Sequence, residues 1–190
     1  MIKNISRAFL LLIIFTIILG LIYPLAITGI SRVLFSEKSS GSLIYKDGKL
    51  IGSELIGQNF TSDKYFHSRP SAAGEDGYDP LKSGGSNLSP SNEEFITTVK
   101  ARAEEFRKNN KFGDDIKIPS DIVTASASGL DPDISVESAL LQAERISRIR
   151  NIPVENIKKL ILDNVENRKL GFLGEPKVNV LKLNFLLDNL

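Results

Sequence analysis

The stretch AFLLLIIFTIILGLIYPLAITGIS, residues 8–31, contains no charged residue. As an α-helix it is about 36 Å long, enough to cross a hydrocarbon core of roughly 30 Å. All its backbone groups would be paired within the helix, as a bilayer requires. A cleaved signal sequence is the alternative, but its apolar core is shorter, and residues 26–28 match a cleavage site poorly. We predict a retained transmembrane helix over residues 9–30.

The remaining residues have the length and charge of one ordinary domain. Lys3 and Arg7 precede the apolar stretch, which leaves 22 of the 24 basic residues against all 23 acidic ones, a net charge of −1. No basic surface of the kind that nucleic acid requires is indicated, so we expect no nucleic-acid partner. The absence of cysteine excludes disulfides, zinc–thiolate sites and cysteine nucleophiles.

We predict an α+β fold with four parts: a short tail over residues 1–8, the transmembrane helix over 9–30, a linker over 31–42, and one soluble domain over 43–190. Asp47-Gly48 lies between two apolar runs and predicts a β-hairpin, because both positions of its tight turn need positive φ. The basic residues on the two sides of the anchor do not decide its orientation.

Three helices and a strand are expected further along the domain. Ser91 and Glu94 have the spacing of a capping box and predict a helix start. Apolar residues at helical spacing predict further helices from Ser135 and from about Pro153. The alternating pattern over residues 178–183 predicts a terminal strand that is buried on both faces.

The region over residues 57–92 is dominated by Gly, Pro, Ser, Asn and Asp, yet it contains several aromatic residues. Long loops without regular structure are usually functional or disordered, and disordered segments tend to lack aromatics. We therefore expect an ordered, irregular segment that packs against another surface. Gly84, Gly85 and Asn87 are residue types that tolerate positive φ, so we expect a turn there rather than a phosphate-binding loop.

His67 is the only histidine, so a Ser-His-Asp hydrolase would have to use it as the histidine of its catalytic triad. The Gly-x-Ser-x-Gly pattern of the nucleophile elbow is absent, which favours a surface or hydrogen-bonding role for His67.

Other charged clusters have an ordinary interpretation. Asp131 and Asp133, like the acidic residues at 75–79, lack the spacing of a calcium loop and are interpreted as solvated. Arg145, Arg148 and Arg150 are interpreted as solvated helix faces or partner contacts.

Five sequence blocks, in this order, resemble the KdpC family of the bacterial Kdp-type potassium-transporting ATPase, and the resemblance covers the whole chain. They are GSELIGQ (52–58) followed by Phe60, YFHSRPSA (65–72), SGGSNL (83–88) with PSN (90–92), VTASASGLDP (123–132), and GEPKVNVL (174–181) with Leu183, Asn184, Leu187 and Asp188.

The resemblance implies an accessory subunit with one membrane span, a cytoplasmic amino terminus and an extracytoplasmic domain. Its implied partners are a potassium channel-like subunit, a P-type ATPase catalytic subunit, a small single-span membrane subunit and the lipid bilayer. K⁺ and ATP with Mg²⁺ would be handled by those partners, and this chain would have no catalytic, cofactor or metal residues. Within the irregular region, the expected partner contacts are Arg69, Pro70, Gly84, Gly85, Ser86 and Asn87.

Two alternatives remain open at this point. One is a membrane-anchored extracytoplasmic hydrolase that uses His67, which predicts activity in the isolated domain. The other is a free-standing binding protein that needs no membrane partner.

Overall fold

The computed structural model describes residues 2–190 and has the predicted mixed α+β composition. Contacts divide the chain into two compact units, Met1–Ser53 and Glu54–Leu190. The second unit contains two short paired strands and four α-helices: β3 (Asp133–Ser135), β4 (Lys177–Asn179), α4 (Glu93–Asn110), α5 (Val136–Arg150), α6 (Val154–Asp163) and α7 (Val180–Leu187).

The first unit begins with one apolar helix over Ile2–Leu34, long and apolar enough to cross a membrane. It consists of α1 (Ile2–Ile17), a π-helical turn (Ile18–Ile22) and α2 (Tyr23–Leu34). Pro24 follows the wide turn, and its lack of an N–H removes one helical hydrogen bond there. The helix continues past residue 30, and the short α3 (Ser36–Ser39) follows, so much of the predicted linker is helical.

A β-hairpin ends the first unit, as the sequence predicts. Strands β1 (Leu43–Lys46) and β2 (Lys49–Ser53) pair in antiparallel fashion. Asp47 and Gly48 have φ values of 52° and 75°, which are the left-handed conformations that this two-residue turn demands.

The core of the second unit is formed by the helices and the β3–β4 pair. Strands β3 and β4 pair in antiparallel fashion, with Ile134 opposite Val178. The predicted start of α5 is confirmed, because the Ser135 side chain accepts a hydrogen bond from the amide of Ser138. The largest buried apolar side chains are Phe66, Ile134, Ile146, Ile157, Ile161, Leu183 and Leu187.

The predicted capping box at the start of α4 is wrong by one residue. Asn92 is the N-cap, and its side chain accepts hydrogen bonds from the amides of Glu94 and Phe95. The Ser91 hydroxyl is instead 2.9 Å from that of Ser89. Asn caps a helix as well as Ser does, so the sequence offered two adjacent candidates.

The prediction of a strand over residues 178–183 is also wrong after Asn179. Strand β4 ends there, and the Asn179 side chain accepts a 3.0 Å hydrogen bond from the amide of Lys182, which caps α7. Both faces of this short helix are largely buried, so its apolar residues do not show helical spacing.

The irregular region over residues 57–92 is ordered and packed, as predicted. Phe66 and Ala73 within it have no exposed surface. Its chain lies against the helices and against residues 126–131, and these contacts form the candidate site.

Candidate docking surface

Residues 63–67, here called the strap, cross the helical face of the second unit. Polar side chains of the helices form hydrogen bonds with the backbone of the strap. The Asn184 amide accepts from the Phe66 N–H at 2.8 Å and donates to the Phe66 carbonyl at 3.0 Å. The Gln142 amide does the same for His67, accepting at 2.7 Å and donating at 3.2 Å. Two amide side chains thus replace the neighbouring strand that an extended segment would otherwise need.

Arg145 is the centre of this network and is only 1% exposed. Its guanidinium donates to the carbonyl oxygens of Asp63 and Tyr65, the latter at 3.0 Å. It also donates to Gln142 Oε1 at 2.8 Å and to Asn110 Oδ1 at 3.1 Å. The interpretation of Arg145 as a solvated residue is therefore wrong: the side chain connects α4, α5 and the strap inside the core.

Burial determines the electrostatics of this centre. Loss of solvent lowers the pKa of Arg145 to about 10, so its guanidinium stays protonated at neutral pH. Burial, and then the charge of Arg145, lower the pKa of His67 below its usual value. His67 is therefore mainly neutral at pH 7, and its Nε2 is 3.3 Å from the carbonyl oxygen of Ser62.

Arg150 fastens the outer edge of the strap to the carboxyl terminus. It donates to the carbonyl oxygen of Lys64 at 2.8 Å and forms a 2.7 Å ion pair with Asp188. Its guanidinium lies 4.9 Å from the centre of the Tyr65 ring, and the Tyr65 hydroxyl donates to Asp188 at 3.0 Å. Arg150 is thus bound within the chain rather than solvated.

Arg69 and Pro70 follow the strap and line a cleft of about 380 Å³. Arg69 forms a 2.8 Å ion pair with Asp131, so Asp131 is paired and not simply solvated. The Tyr78 hydroxyl donates to the Arg69 carbonyl, which fixes the backbone at that point. The cleft is lined by both polar and aromatic residues, including Asn59, Phe60, His67, Asp76, Arg102 and Glu105.

The loop over residues 83–87 is held by residues 126–129. The Gly84 amide and the Ser83 hydroxyl both donate to the Ser128 carbonyl, at 2.8 and 2.9 Å. Ser86 and Asn87 are exposed. Asn87 has a positive φ of 54°, as expected, but Gly84 and Gly85 do not have positive φ. The predicted conformation of the two glycines is therefore wrong.

Close packing, rather than positive φ, explains Gly85. A Cβ at this position would lie 3.2 Å from the carbonyl oxygen of Ala127, whereas one at Gly84 would meet nothing closer than 4.0 Å. Gly129, which packs against Gly84, is the glycine with a left-handed backbone, at φ 67°. A Cβ on Gly129 would lie 2.6 Å from the Gly84 carbonyl oxygen. Both candidate contact groups therefore rest on residues 126–131.

Asp133, the other acidic residue predicted to be solvated, forms an ion pair with Lys177 at the end of the β3–β4 pair. Within residues 2–190, no group of three or more His, Cys, Asp or Glu side chains is arranged to bind a metal ion.

Comparison with known proteins identifies the family. The family model described as "K+-transporting ATPase, c chain" matches residues 5–189. A KdpC subunit of the potassium-transporting ATPase from Mycobacterium bovis is 49% identical over 188 residues, covering 99% of each chain. KdpC subunits from Bradyrhizobium diazoefficiens and Photorhabdus laumondii are 48% and 50% identical, covering 99% and 95% of this chain and 98% and 93% of their own. The chain belongs to the KdpC family and is a subunit of a K⁺-transporting ATPase complex.

Proposed function

We propose that the chain is a non-catalytic accessory subunit that assembles and stabilises an ATP-driven potassium uptake pump. It would hold together a potassium channel-like subunit and a P-type ATPase subunit, with a small single-span subunit beside them. The observation that carries the proposal is the construction of the irregular region. Its backbone is bound by buried side chains from two helices, α5 and α7, an arrangement suited to presenting a rigid surface.

Rigidity is the physical advantage of this arrangement. An irregular segment that orders only on binding loses conformational entropy at that moment, which weakens the complex. Here the strap and the loop over residues 83–87 are already fixed in the folded subunit. The exposed side chains of Ser86 and Asn87, and the half-buried Arg69 and Pro70 of the cleft, would then meet the channel-like subunit without further ordering.

We propose that the apolar helix anchors the chain in the cell membrane with a cytoplasmic amino terminus and an extracytoplasmic domain. In this orientation the domain is separated by the bilayer from the site of ATP hydrolysis. K⁺, ATP and Mg²⁺ are then bound by the partner subunits. Because the chain contains no cysteine, single cysteines at Lys3 and at Glu104 provide a clean test with a membrane-impermeant maleimide in intact cells. We expect the maleimide to label position 104 and not position 3. Labelling of position 3 alone would show that the topology is the opposite of the one proposed.

Co-purification of the pump in mild detergent tests the docking surface. Ser86→Arg adds a bulky charge to an exposed position of the loop and should release this subunit from the others. Asn156→Arg makes the same kind of change at an exposed position of α6 and should leave the complex intact. If Ser86→Arg co-purifies and pumps as well as Asn156→Arg does, the loop over residues 83–87 is not the interface.

The hydrolase alternative depends on His67, whose ring contacts the Ser62 carbonyl oxygen. A general base must form a hydrogen bond to the hydroxyl that it activates, whereas the His67 ring contacts a carbonyl oxygen. We therefore expect His67→Ala to leave potassium-dependent ATPase activity of the complex within a few-fold of wild type. A loss of about a thousandfold, the scale for a missing triad residue, would favour the hydrolase.

A further inference from the structure

Residues 166–177 form a second hairpin, here called the carboxyl-terminal hairpin, which projects from the β3–β4 pair. Glu166 and Lys177 exchange two backbone hydrogen bonds at 2.8 and 3.1 Å. Lys169 and Leu173 exchange two more, each at 2.9 Å. The base is fastened by the ion pair of Lys177 with Asp133. The hairpin is thus a defined structure and not a loose loop.

The tip of this hairpin presents apolar side chains to the outside. Leu170 is 82% exposed, Phe172 70% and Leu173 51%. Leu170 has a φ of 55°, a conformation that is unfavourable for a residue with a Cβ. The core of the domain gains nothing from these side chains. An exposed apolar tip on a strained turn indicates a contact outside the chain.

The base of the hairpin lies beside the first residues of the second unit. Glu54 is the first residue of the second unit, and its carbonyl accepts a 2.8 Å hydrogen bond from the Asn179 side chain. Glu54 and Leu55 line a cleft of about 220 Å³ together with Glu166 and Lys177 of the hairpin base. Leu55 is itself 62% exposed. The hairpin therefore starts beside the residues with which the second unit begins.

We propose that the tip of the carboxyl-terminal hairpin inserts into the headgroup region of the bilayer that the apolar helix crosses. Phe172, Leu170 and Leu173 would enter the interface, and the neighbouring Lys169 would meet anionic headgroups. This proposal does not depend on the docking role of residues 57–92.

A lipid surface fits the tip better than a protein partner does. Three side chains at the end of a narrow hairpin cover far less than the roughly 1,200 Å² of a stable protein interface. Shallow insertion needs only a small apolar area, because the anchor in the same chain keeps the local lipid concentration high.

The test uses the full chain, reconstituted alone in nanodiscs of phosphatidylcholine and phosphatidylglycerol. A single cysteine at Leu173 carries an environment-sensitive dye and leaves Leu170 and Phe172 intact. Nitroxide-labelled lipids should quench this dye and lipid should shift its emission to the blue. The matched control is the same dye at Leu81, an apolar residue that is 92% exposed elsewhere in the domain. It should show neither effect.

Two further measurements identify what the tip contacts. Leu170→Ser with Phe172→Ser should abolish quenching of the dye at position 173. Lys169→Glu should reduce it only when phosphatidylglycerol is present. The proposal is overturned if position 173 is quenched no more than position 81. It is also overturned if the dye becomes shielded only after the other pump subunits are added, which would assign the tip to a protein partner.

Discussion

Replacing Arg145 with methionine removes the centre of the strap network while keeping most of the apolar stem. Four acceptors lose a donor. The Gln142 oxygen keeps its bond from the His67 amide, and the Asp63 and Tyr65 carbonyls are near enough to the surface to bind water. The Asn110 side-chain oxygen is different, because Asn110 is 3% exposed. We expect the strap to detach while the helices persist.

The magnitude follows from two opposing effects. An unsatisfied buried acceptor costs about 1–3 kcal/mol, and loss of the partly exposed hydrogen bonds adds about 1 kcal/mol each. Removing the guanidinium also relieves the penalty of burying a charge, which in some proteins exceeds the value of the bonds. Here the bonds are numerous and the donor geometry is specific to arginine. We expect a net loss of about 3 kcal/mol in the free energy of unfolding.

Urea unfolding of the full chain in detergent, followed by near-ultraviolet circular dichroism, measures this loss. The chain has no tryptophan, so the signal comes mainly from its tyrosines, and Tyr65 lies in the strap itself. Arg148→Met on the exposed side of the same helix is the matched control and should change stability by less than about 0.5 kcal/mol. Trypsin should also cleave the Arg145→Met variant faster after Lys64. If that variant is as stable as the control, the desolvation penalty dominates and the reasoning fails.

Three smaller changes test other parts of the second unit. Gly85→Ala should weaken co-purification with the pump, because its methyl group meets the Ala127 backbone, whereas Gly84→Ala should not; equal behaviour would contradict the packing argument. Asn179→Ala should lower the free energy of unfolding by about 1–2 kcal/mol in urea titrations, because it removes the cap of α7, and an unchanged midpoint would refute that role. The lowered pKa of His67 means that the unfolded chain binds this proton more readily, so stability should fall as pH drops below about 6.5. His67→Gln should reduce this pH dependence of stability, measured by urea titrations at a series of pH values. If the pH dependence is unaltered in His67→Gln, another group causes it.

The local features of the fold could be predicted because short-range chemistry determines them. The uncharged stretch requires a long helix, and Asp47-Gly48 requires the left-handed turn that is observed. Ser135 caps α5 as expected. Errors arose where two neighbouring residues could serve the same purpose, as with Asn92 and Ser91, or where a buried helix has apolar residues on both faces, as over residues 180–187.

The candidate site was only partly predictable, because its stabilising contacts join residues far apart in the sequence. Order in residues 57–92 could be inferred from the aromatic residues there. The interior position of Arg145 could not, since its acceptors include carbonyl oxygens of the strap, which carry no sequence signal. One available signal was missed: Asn110, Gln142 and Asn184 are polar residues on otherwise apolar helix faces, and such residues need buried partners.

The same network explains how an irregular segment can serve as a structural surface. A strap without strand neighbours would ordinarily leave its backbone groups to water and remain mobile. Here α5 and α7 contribute side chains whose polar atoms match that backbone, so the strap is as fixed as a strand. Arg145 also links α5 to α4 through Asn110. Any change that loosens the helices should therefore loosen the strap too, and the docking surface that we propose depends on the stability of the core beneath it.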